Sequence, residues 1–99
     1  MIFVYVTVKS VEEAKNISKC LLQKKLIACA NFFPITSMYR WSGKIVDDSE
    51  VVLLLKTVEE KYSKIVSIVE KIHSYDTPCV IKIPVSSNAN YLEWIHAQM

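Results

Sequence analysis

The longest regular pattern in the chain is a pair of apolar-rich strands that span residues 28–57 and meet at Ser42-Gly43. A two-residue loop that contains glycine supplies the positive φ angles that a tight hairpin requires. Each arm has about 14 residues and would span roughly 46 Å at 3.3 Å per residue. A compact domain of 99 residues is only about 34 Å across. The hairpin should therefore bend back on itself or project against another subunit.

Two amphipathic helices flank this hairpin, and a similar motif opens both of them. Lys-Ser-Val-Glu-Glu begins at residue 9 and Lys-Thr-Val-Glu-Glu begins at residue 56, each after an apolar strand. Ser10 with Glu13, and Thr57 with Glu60, fit the capping box. The repeat indicates either a duplication or two helices that share favourable start chemistry. Helical spacing predicts an apolar face for each helix, with Ala14, Ile17, Leu21 and Leu22 in the first and Tyr62, Ile65, Val66, Val69 and Ile72 in the second. The first helix should carry Lys24 and Lys25 in its last turn, where cations suit the helix dipole.

The C-terminal third predicts one more strand and a short helix. Residues 80–85 are apolar-rich, and Pro84 near the end of this stretch is typical of an edge strand or a bend. Asn88 or Asn90 is a candidate cap for a last helix that carries Tyr91, Leu92, Trp94 and Ile95. The order β-α-β-β-α-β plus a terminal helix predicts a single α+β domain over residues 1–99 with the ferredoxin-like fold. Both main helices should cover one face of the sheet and leave the other bare.

Two strands carry more apolar surface than this arrangement can cover. A sheet with one solvated face should alternate apolar and polar residues. Residues 2–6 and 51–55 are instead apolar at every position, and 52% of the whole chain is apolar with a single glycine. Because side chains alternate between the faces of a strand, both faces require burial. We therefore expect a homo-oligomer in which sheets from identical copies cover one another.

Composition and charge exclude several classes of protein. A net charge of +2 with scattered basic residues argues against nucleic-acid binding, and the third strand lacks the aromatic pattern of RNA-binding domains. No run of 18 apolar residues exists, so we expect no membrane span. The N-terminus has no basic region or cleavage signal, so we expect a cytoplasmic protein. Three cysteines without paired spacing predict free thiols rather than disulfides or structural zinc.

Few residues are candidates for chemistry. The chain has no glycine-rich phosphate loop and no His-Glu-x-x-His motif. Cys29 and His73 together suit copper or zinc, although one chain does not offer four ligands; they are alternatively a nucleophile–base pair. His73 is otherwise a hydrogen-bonding group at a helix end. Near the turn, Tyr39, Arg40 and Trp41 favour an interface anchor or a stacking surface for a ligand, and Asp47, Asp48 and Glu50 favour a solvated edge or a hard-cation site.

Several segments resemble one known family. These are Ala28-Cys-Ala-Asn-Phe-Phe-Pro34, Ser37-Met-Tyr-Arg-Trp-Ser-Gly-Lys44, Glu50, Leu55-Lys-Thr57, His73-Ser-Tyr75, Thr77-Pro78 and Asn90-Tyr-Leu-Glu-Trp94. They are similar to the signature of the CutA divalent-cation tolerance proteins, over nearly the whole chain. The resemblance implies a ferredoxin-like subunit in a tight homotrimer, related in architecture to the PII signalling proteins. It also implies a link to tolerance of copper and other divalent metals, and no known catalytic reaction.

The resemblance further implies a ligand pocket between subunits. Carried onto this chain, it would involve Cys29, Tyr39, Trp41, Glu50, Lys56, His73, Tyr75 and Trp94, with Cys29 and His73 as the expected contacts to copper or another divalent ion. Two departures affect the region around His73. Ser74 stands where the family usually has proline, and Cys79 stands where an acidic residue is usual. The change at position 79 either softens the donor set or fills an apolar gap.

The sequence is compatible with three functions. The leading one is a trimeric protein that responds to metal ions by binding a metal or a small ligand at subunit clefts, without membrane or nucleic-acid partners. The second is a small enzyme that uses Lys56, His73 and Tyr75 as acid–base groups. The third is a structural trimer that presents its surface to protein partners.

Overall fold

The computed structural model describes all 99 residues and contains one four-stranded antiparallel sheet. The elements follow in the order β1 (Ile2–Val8), α1 (Val11–Gln23), β2 (Cys29–Trp41), β3 (Lys44–Thr57), a 3₁₀ turn (Glu59–Lys61), α2 (Tyr62–Ile72), β4 (Val80–Pro84) and α3 (Ala89–Ala97). The strand order across the sheet is β2-β3-β1-β4. This is the predicted ferredoxin-like α+β fold with its additional C-terminal helix. As expected from Pro84, β4 is an edge strand.

The main hydrophobic core lies between one face of the sheet and helices α1 and α2. It takes alternate residues of the two central strands, because the strand period of two sends them to the same face. The fully buried members include Val4, Val6, Leu53 and Leu55 from the strands and Ala14, Ile17, Leu21, Ile65 and Val69 from the helices. A smaller cluster around Ile95 joins α3 to the end of the sheet. The predicted apolar helix faces are wrong at Leu22 and Ile72, because both side chains are exposed.

The opposite face of the sheet carries apolar side chains without a helical cover. Phe33, Ile81 and Ile83 are 44%, 49% and 37% exposed, and Phe3 and Tyr5 on β1 are only half-buried. These residues occupy the positions that alternate with the core residues along their strands. Large exposed apolar patches on a soluble domain mark surfaces that bind another molecule. The surplus of apolar strand surface that the sequence predicts is therefore present on this face.

The hairpin projects rather than bending back. Strands β2 and β3 pair without interruption from Cys29↔Lys56 to Trp41↔Lys44, and the molecule measures 46 × 25 × 21 Å. The turn residues Ser42 and Gly43 have φ angles of 50° and 78°, both in the left-handed region that primed hairpin turns need. At the tip, Trp41 is 65% exposed. The hairpin thus extends beyond the core that its own chain provides.

The first helix ends differently from the expectation. Its last residue is Gln23, so Lys24 and Lys25 lie beyond the last turn rather than in it. The Lys25 N–H donates to the Leu22 carbonyl, and the Leu26 N–H donates to the Leu21 carbonyl. This pair of bonds is the Schellman motif, which requires a left-handed residue at the position that Lys25 occupies with φ of 56°. Lys25 therefore has a left-handed backbone conformation that glycine would adopt without strain.

The two helix starts also differ from each other. The Ser10 hydroxyl accepts a hydrogen bond from the Glu13 N–H at 3.1 Å, as the capping box predicts. The second capping box is wrong: α2 begins at Tyr62 after the 3₁₀ turn, and no side chain caps either segment. Thr57 is buried and donates its hydroxyl to the Leu26 carbonyl at 2.6 Å. Asn88 occupies the cap position of α3 without a side-chain bond.

None of the helices combines the length and hydropathy needed to cross a membrane.

Candidate ligand cleft

A cleft of about 550 Å³ opens where the projecting half of the hairpin faces the segment that follows α2. Residues two apart on a strand share a face, so Tyr39 and Trp41 on β2 point to the same side as Asp48 and Glu50 on β3. The segment after α2 closes the other side of the cleft with Tyr75, Asp76 and Cys79. The cleft therefore combines aromatic rings, carboxylates and a thiol, and no lysine, arginine or histidine lines it.

Hydrogen bonds join the tyrosines to the carboxylates inside the cleft. The Tyr75 hydroxyl donates to Glu50 Oε2 at 2.7 Å, and the Tyr39 hydroxyl donates to Asp48 Oδ2 at 3.1 Å. Burial and the bond to Glu50 raise the pKa of Tyr75 well above its usual range, with the negative charges nearby adding to the effect. The bond to Asp48 raises the pKa of Tyr39. Both hydroxyls consequently stay protonated as donors at neutral pH, and the negative charge of the cleft resides on its carboxylates.

The thiol of Cys79 lies on the same wall. Burial, together with the charge of Glu50, raises the pKa of Cys79 despite a hydrogen bond with Thr7 that opposes the shift. Since the thiolate is the reactive and metal-binding form of cysteine, this thiol is less reactive than a free one at neutral pH. The structure thus places Cys79 in the cleft lining, where the sequence left its role open.

His73 is buried beside the cleft and anchors the segment that closes it. Its Nδ1 accepts the Tyr75 N–H at 3.0 Å, which places the proton on Nε2, and Nε2 donates to the Thr7 carbonyl at 2.8 Å. The rings of His73 and Tyr75 lie 4.7 Å apart. Both ring nitrogens are thus engaged with the backbone. A metal ion on His73 would have to displace one of these bonds.

Glu13 supports the same segment from α1, a role that the sequence did not reveal. Its carboxylate accepts the Ser74 N–H at 2.9 Å, the Ser74 hydroxyl at 3.0 Å and the Lys9 N–H at 3.2 Å. Burial alone would raise the pKa of Glu13, but these hydrogen bonds outweigh it, with help from nearby His73, and lower the pKa below its usual value. The capping motif indicated Glu13 only as a partner within its own helix. Nothing local in the sequence predicts a contact with a residue 61 positions away.

A second group of the predicted site residues lies at the other end of the sheet. Lys56 is paired with Cys29 across the hairpin, and its Nζ lies 3.3 Å from the Tyr91 hydroxyl and 5.3 Å from the centre of that ring. Trp94 stacks on Tyr91 with 5.7 Å between ring centres. Tyr91 is a contact that the family resemblance did not supply. No carboxylate lies within ion-pair distance of Lys56.

The structure therefore divides the predicted cleft residues into two groups. Tyr39, Trp41, Glu50, His73 and Tyr75 lie together at one end, and Cys29, Lys56 and Trp94 lie together at the other. Cys29 lies level with Phe3 of β1, and His73 contacts Thr7 of the same strand. Phe3 and Thr7 are four residues apart, so Cys29 and His73 are separated by about 13 Å along β1. No three His, Cys, Asp or Glu side chains converge as they would around a metal ion. A single chain thus assembles neither the copper pair nor the acid–base trio.

The fold is a ferredoxin-like domain whose sheet carries helices on one face and groups of polar and aromatic side chains at both ends. The family described as "CutA1 divalent ion tolerance protein" matches residues 2–98. A divalent-cation tolerance protein CutA from Archaeoglobus fulgidus is 45% identical over 94 residues, which are 94% of this chain and 92% of that protein. The chain belongs to the CutA1 family of divalent-ion tolerance proteins.

Solved structures agree with this assignment. The crystal structure of CutA1 from Pyrococcus horikoshii superimposes with a TM-score of 0.95 at 38% identity, covering 99% of this chain and 97% of that one. The structure described as the periplasmic CutA of Archaeoglobus fulgidus gives a TM-score of 0.95 at 43% identity, covering 99% and 98%. The predicted family and the predicted ferredoxin-like fold are both confirmed.

Proposed function

We propose that this protein acts as a homotrimer that binds copper or another divalent metal ion, or a small ligand, at clefts between subunits. Binding would change contacts elsewhere on the trimer and so link metal exposure to a cellular response. The observation that carries the proposal is the division of the cleft residues between opposite ends of one chain. Residues of both groups become neighbours only if two copies meet. The family membership supports the role in divalent-cation tolerance.

The uncovered sheet face supports the trimer. Phe33, Ile81 and Ile83 are exposed on it, and burying apolar side chains is worth about 25 cal/mol for each Å² removed from water. A neighbouring copy that lies on this face would also cover the projecting hairpin. Sedimentation velocity at low micromolar concentration tests this step. We expect a particle of about three times 11.4 kDa, and a well-folded particle of 11.4 kDa would overturn the proposal.

Cys29 and His73 are the residues we propose for the metal contact. A thiolate and an imidazole are ligands that copper accepts readily. Cys29 is a free, half-buried cysteine at the start of β2, and His73 would have to exchange its bond from the Tyr75 N–H for the metal. Because these two residues are apart in one chain, the site would take Cys29 from one copy and His73 from the next.

Calorimetric titration with copper tests the metal site. We expect Cys29→Ala and His73→Ala each to weaken copper binding at least tenfold, since each would remove one ligand. Cys20→Ala is the matched control, because Cys20 is also a free, half-buried cysteine but lies on α1 away from both groups. Unchanged affinity in both Cys29 and His73 variants, with trimer and thermal midpoint preserved, would remove these residues from the site.

A chemical reaction is not part of the proposal. Within one chain Lys56 lies at the far end of the sheet from His73 and Tyr75, so an acid–base trio would also need residues from two copies. We also propose the cytoplasm as the location. The Archaeoglobus fulgidus relative is described as periplasmic, so fractionation of cells that express the full chain tests this point directly. Recovery in a periplasmic fraction would contradict it.

A further inference from the structure

The cleft offers a binding environment suited to a cationic nitrogen. Tyr39, Trp41 and Tyr75 present aromatic rings to a space of about 550 Å³ that Asp48 and Glu50 also line. Aromatic faces attract ammonium groups, and carboxylates accept their hydrogen bonds. The one ion pair between charged side chains is Lys82–Glu59, and the neutral His73 ring lies beside Glu13, so none of the cleft carboxylates, Asp48, Glu50 and Asp76, has a cationic partner. The cleft is therefore complementary to an ammonium group that its own chain does not provide.

The opposite end of the same sheet presents an unpaired ammonium group. Lys56 is half-buried, its Nζ rests over the Tyr91 ring, and its only hydrogen-bond partner is the neutral Tyr91 hydroxyl. A partly desolvated lysine gains from a carboxylate that accepts its remaining protons. The structure supplies none within its own chain. Each end of the sheet thus lacks the charge that the other end carries.

Glu50 and Lys56 cannot satisfy each other within one molecule. They lie six residues apart on β3 with side chains on the same face, a separation of about 20 Å along the strand. Between them on that face lie the apolar side chains of Val52 and Leu54. A second copy that covers this face can bring its own Lys56 to the cleft. Contacts of this head-to-tail kind close into rings when the rotation between copies permits.

We infer that Lys56 of a neighbouring copy enters the aromatic and acidic cleft formed by Tyr39, Trp41, Tyr75, Asp48 and Glu50. The inference rests on the proposed homotrimer and specifies the charge contact that sets its head-to-tail direction. It assigns a role to Lys56 and Glu50 that does not depend on any metal ion. A free amine is the other source of the same chemistry, and the experiment distinguishes the two.

A charge-exchange cycle tests the contact. The association constant of the trimer is measured by sedimentation equilibrium for the wild type, Lys56→Glu, Glu50→Lys and the double variant. We expect each single change to weaken assembly at least tenfold and the double variant to recover at least tenfold over the product of the single effects. Residues about 20 Å apart in one chain should act independently, so recovery reports a contact between copies. Lys64→Glu, on the exposed side of α2, is the control and should leave assembly unchanged.

The outcomes of the cycle separate this inference from the proposed function. If the wild type is a trimer and the two single effects simply multiply, the contact between Lys56 and Glu50 is refuted while the trimer stands. If the wild type is monomeric at tens of micromolar, both the trimer and this inference fail.

A second measurement covers the case in which Glu50→Lys does not fold. Lys56→Ala removes the ammonium group together with the methylene chain that carries it and leaves their space empty, so it should weaken assembly at least tenfold. Added n-butylammonium should then restore assembly to within about threefold of the wild type, whereas n-butanol at the same concentration should not. Equal effects of the two compounds would overturn the inference. Saturable quenching of Trp41 fluorescence by n-butylammonium in a Trp94→Phe trimer that retains Lys56 would assign the cleft to a free amine and overturn the role of Lys56.

Discussion

The carboxylate of Glu13 holds the segment that closes the cleft, and its replacement by glutamine tests how much that support is worth. Glu13→Gln keeps the size of the side chain but replaces one acceptor oxygen by a donor NH₂ group. Of the three hydrogen bonds that the carboxylate accepts, from the Ser74 N–H, the Ser74 hydroxyl and the Lys9 N–H, at least one must be lost. The others lose the strength that a charged acceptor gives them.

The magnitude follows from the type of bond. Hydrogen bonds to charged groups contribute about 1.5–3 kcal/mol each, and partial exposure to water puts these near the lower end. We expect Glu13→Gln to reduce the free energy of unfolding by about 2 kcal/mol at pH 7. Urea unfolding measures this at one fixed protein concentration, because assembly makes apparent stability depend on concentration. Glu12→Gln, one position earlier in the same helix turn and exposed, should change stability by less than about 0.5 kcal/mol.

The pH dependence of the stability difference between wild type and Glu13→Gln can refute this role of the carboxylate. The pKa of Glu13 is lowered in the folded protein relative to its unfolded value. Its stabilising contribution is therefore present above the unfolded pKa of about 4.5 and is lost as pH falls through the lower folded pKa. The difference between wild type and Glu13→Gln should shrink steadily below about pH 4. A difference that is the same at pH 7 and pH 3, or that is absent at pH 7, would show that the carboxylate does not hold the Ser74 segment.

Three further predictions concern the cleft, a helix end and the core. A spectrophotometric pH titration should find Tyr75 still protonated when ordinary tyrosines have ionised. Glu50→Gln should lower the pKa of Tyr75 because the adjacent negative charge is gone, and an unshifted profile would contradict the hydrogen bond between Tyr75 and Glu50. Lys25→Gly should raise the free energy of unfolding by about 0.5–1 kcal/mol, because relief of the left-handed backbone strain exceeds the extra entropy of glycine in the unfolded chain. A lower free energy of unfolding in urea would argue against the Schellman motif at the end of α1. Leu53→Ala should cost about 3 kcal/mol in the same assay because Leu53 is fully buried in the main core, and a cost below about 1 kcal/mol would contradict that packing.

Local patterns in the sequence predicted most of the fold. The positions of all four strands, three helices and the Ser42-Gly43 turn follow from residues that are close together in the chain. Half of the first capping box was correct: the Ser10 hydroxyl accepts the Glu13 N–H, whereas the Glu13 carboxylate accepts the Lys9 N–H rather than the Ser10 N–H. The second was wrong because Thr57 is the buried last residue of β3, and α2 begins only at Tyr62. Similar motifs therefore gave different structures once tertiary packing decided which partner was nearer.

The candidate site was predicted less completely. Tyr39, Trp41, Glu50 and Tyr75 line one cleft, and His73 lies beside it. Cys29, Lys56 and Trp94 belong to the opposite end of the sheet. The resemblance named these residues as one set without indicating that a single chain separates them by much of the length of the sheet. The support from Glu13 and the stacking of Tyr91 required coordinates, since both join segments far apart in the chain.

The order of the elements, the length of the hairpin and the excess of apolar strand surface can all be read from the amino-acid sequence. These properties depend on side-chain periodicity and turn chemistry, which act over a few neighbouring residues. Folding added the partners of that strand, because the Tyr75 segment closes over Glu50 at one end and Tyr91 of α3 lies against Lys56 at the other. Pairing and packing place residues in space at distances that no local pattern encodes, so unmatched charges at the two ends become visible only after the chain has folded.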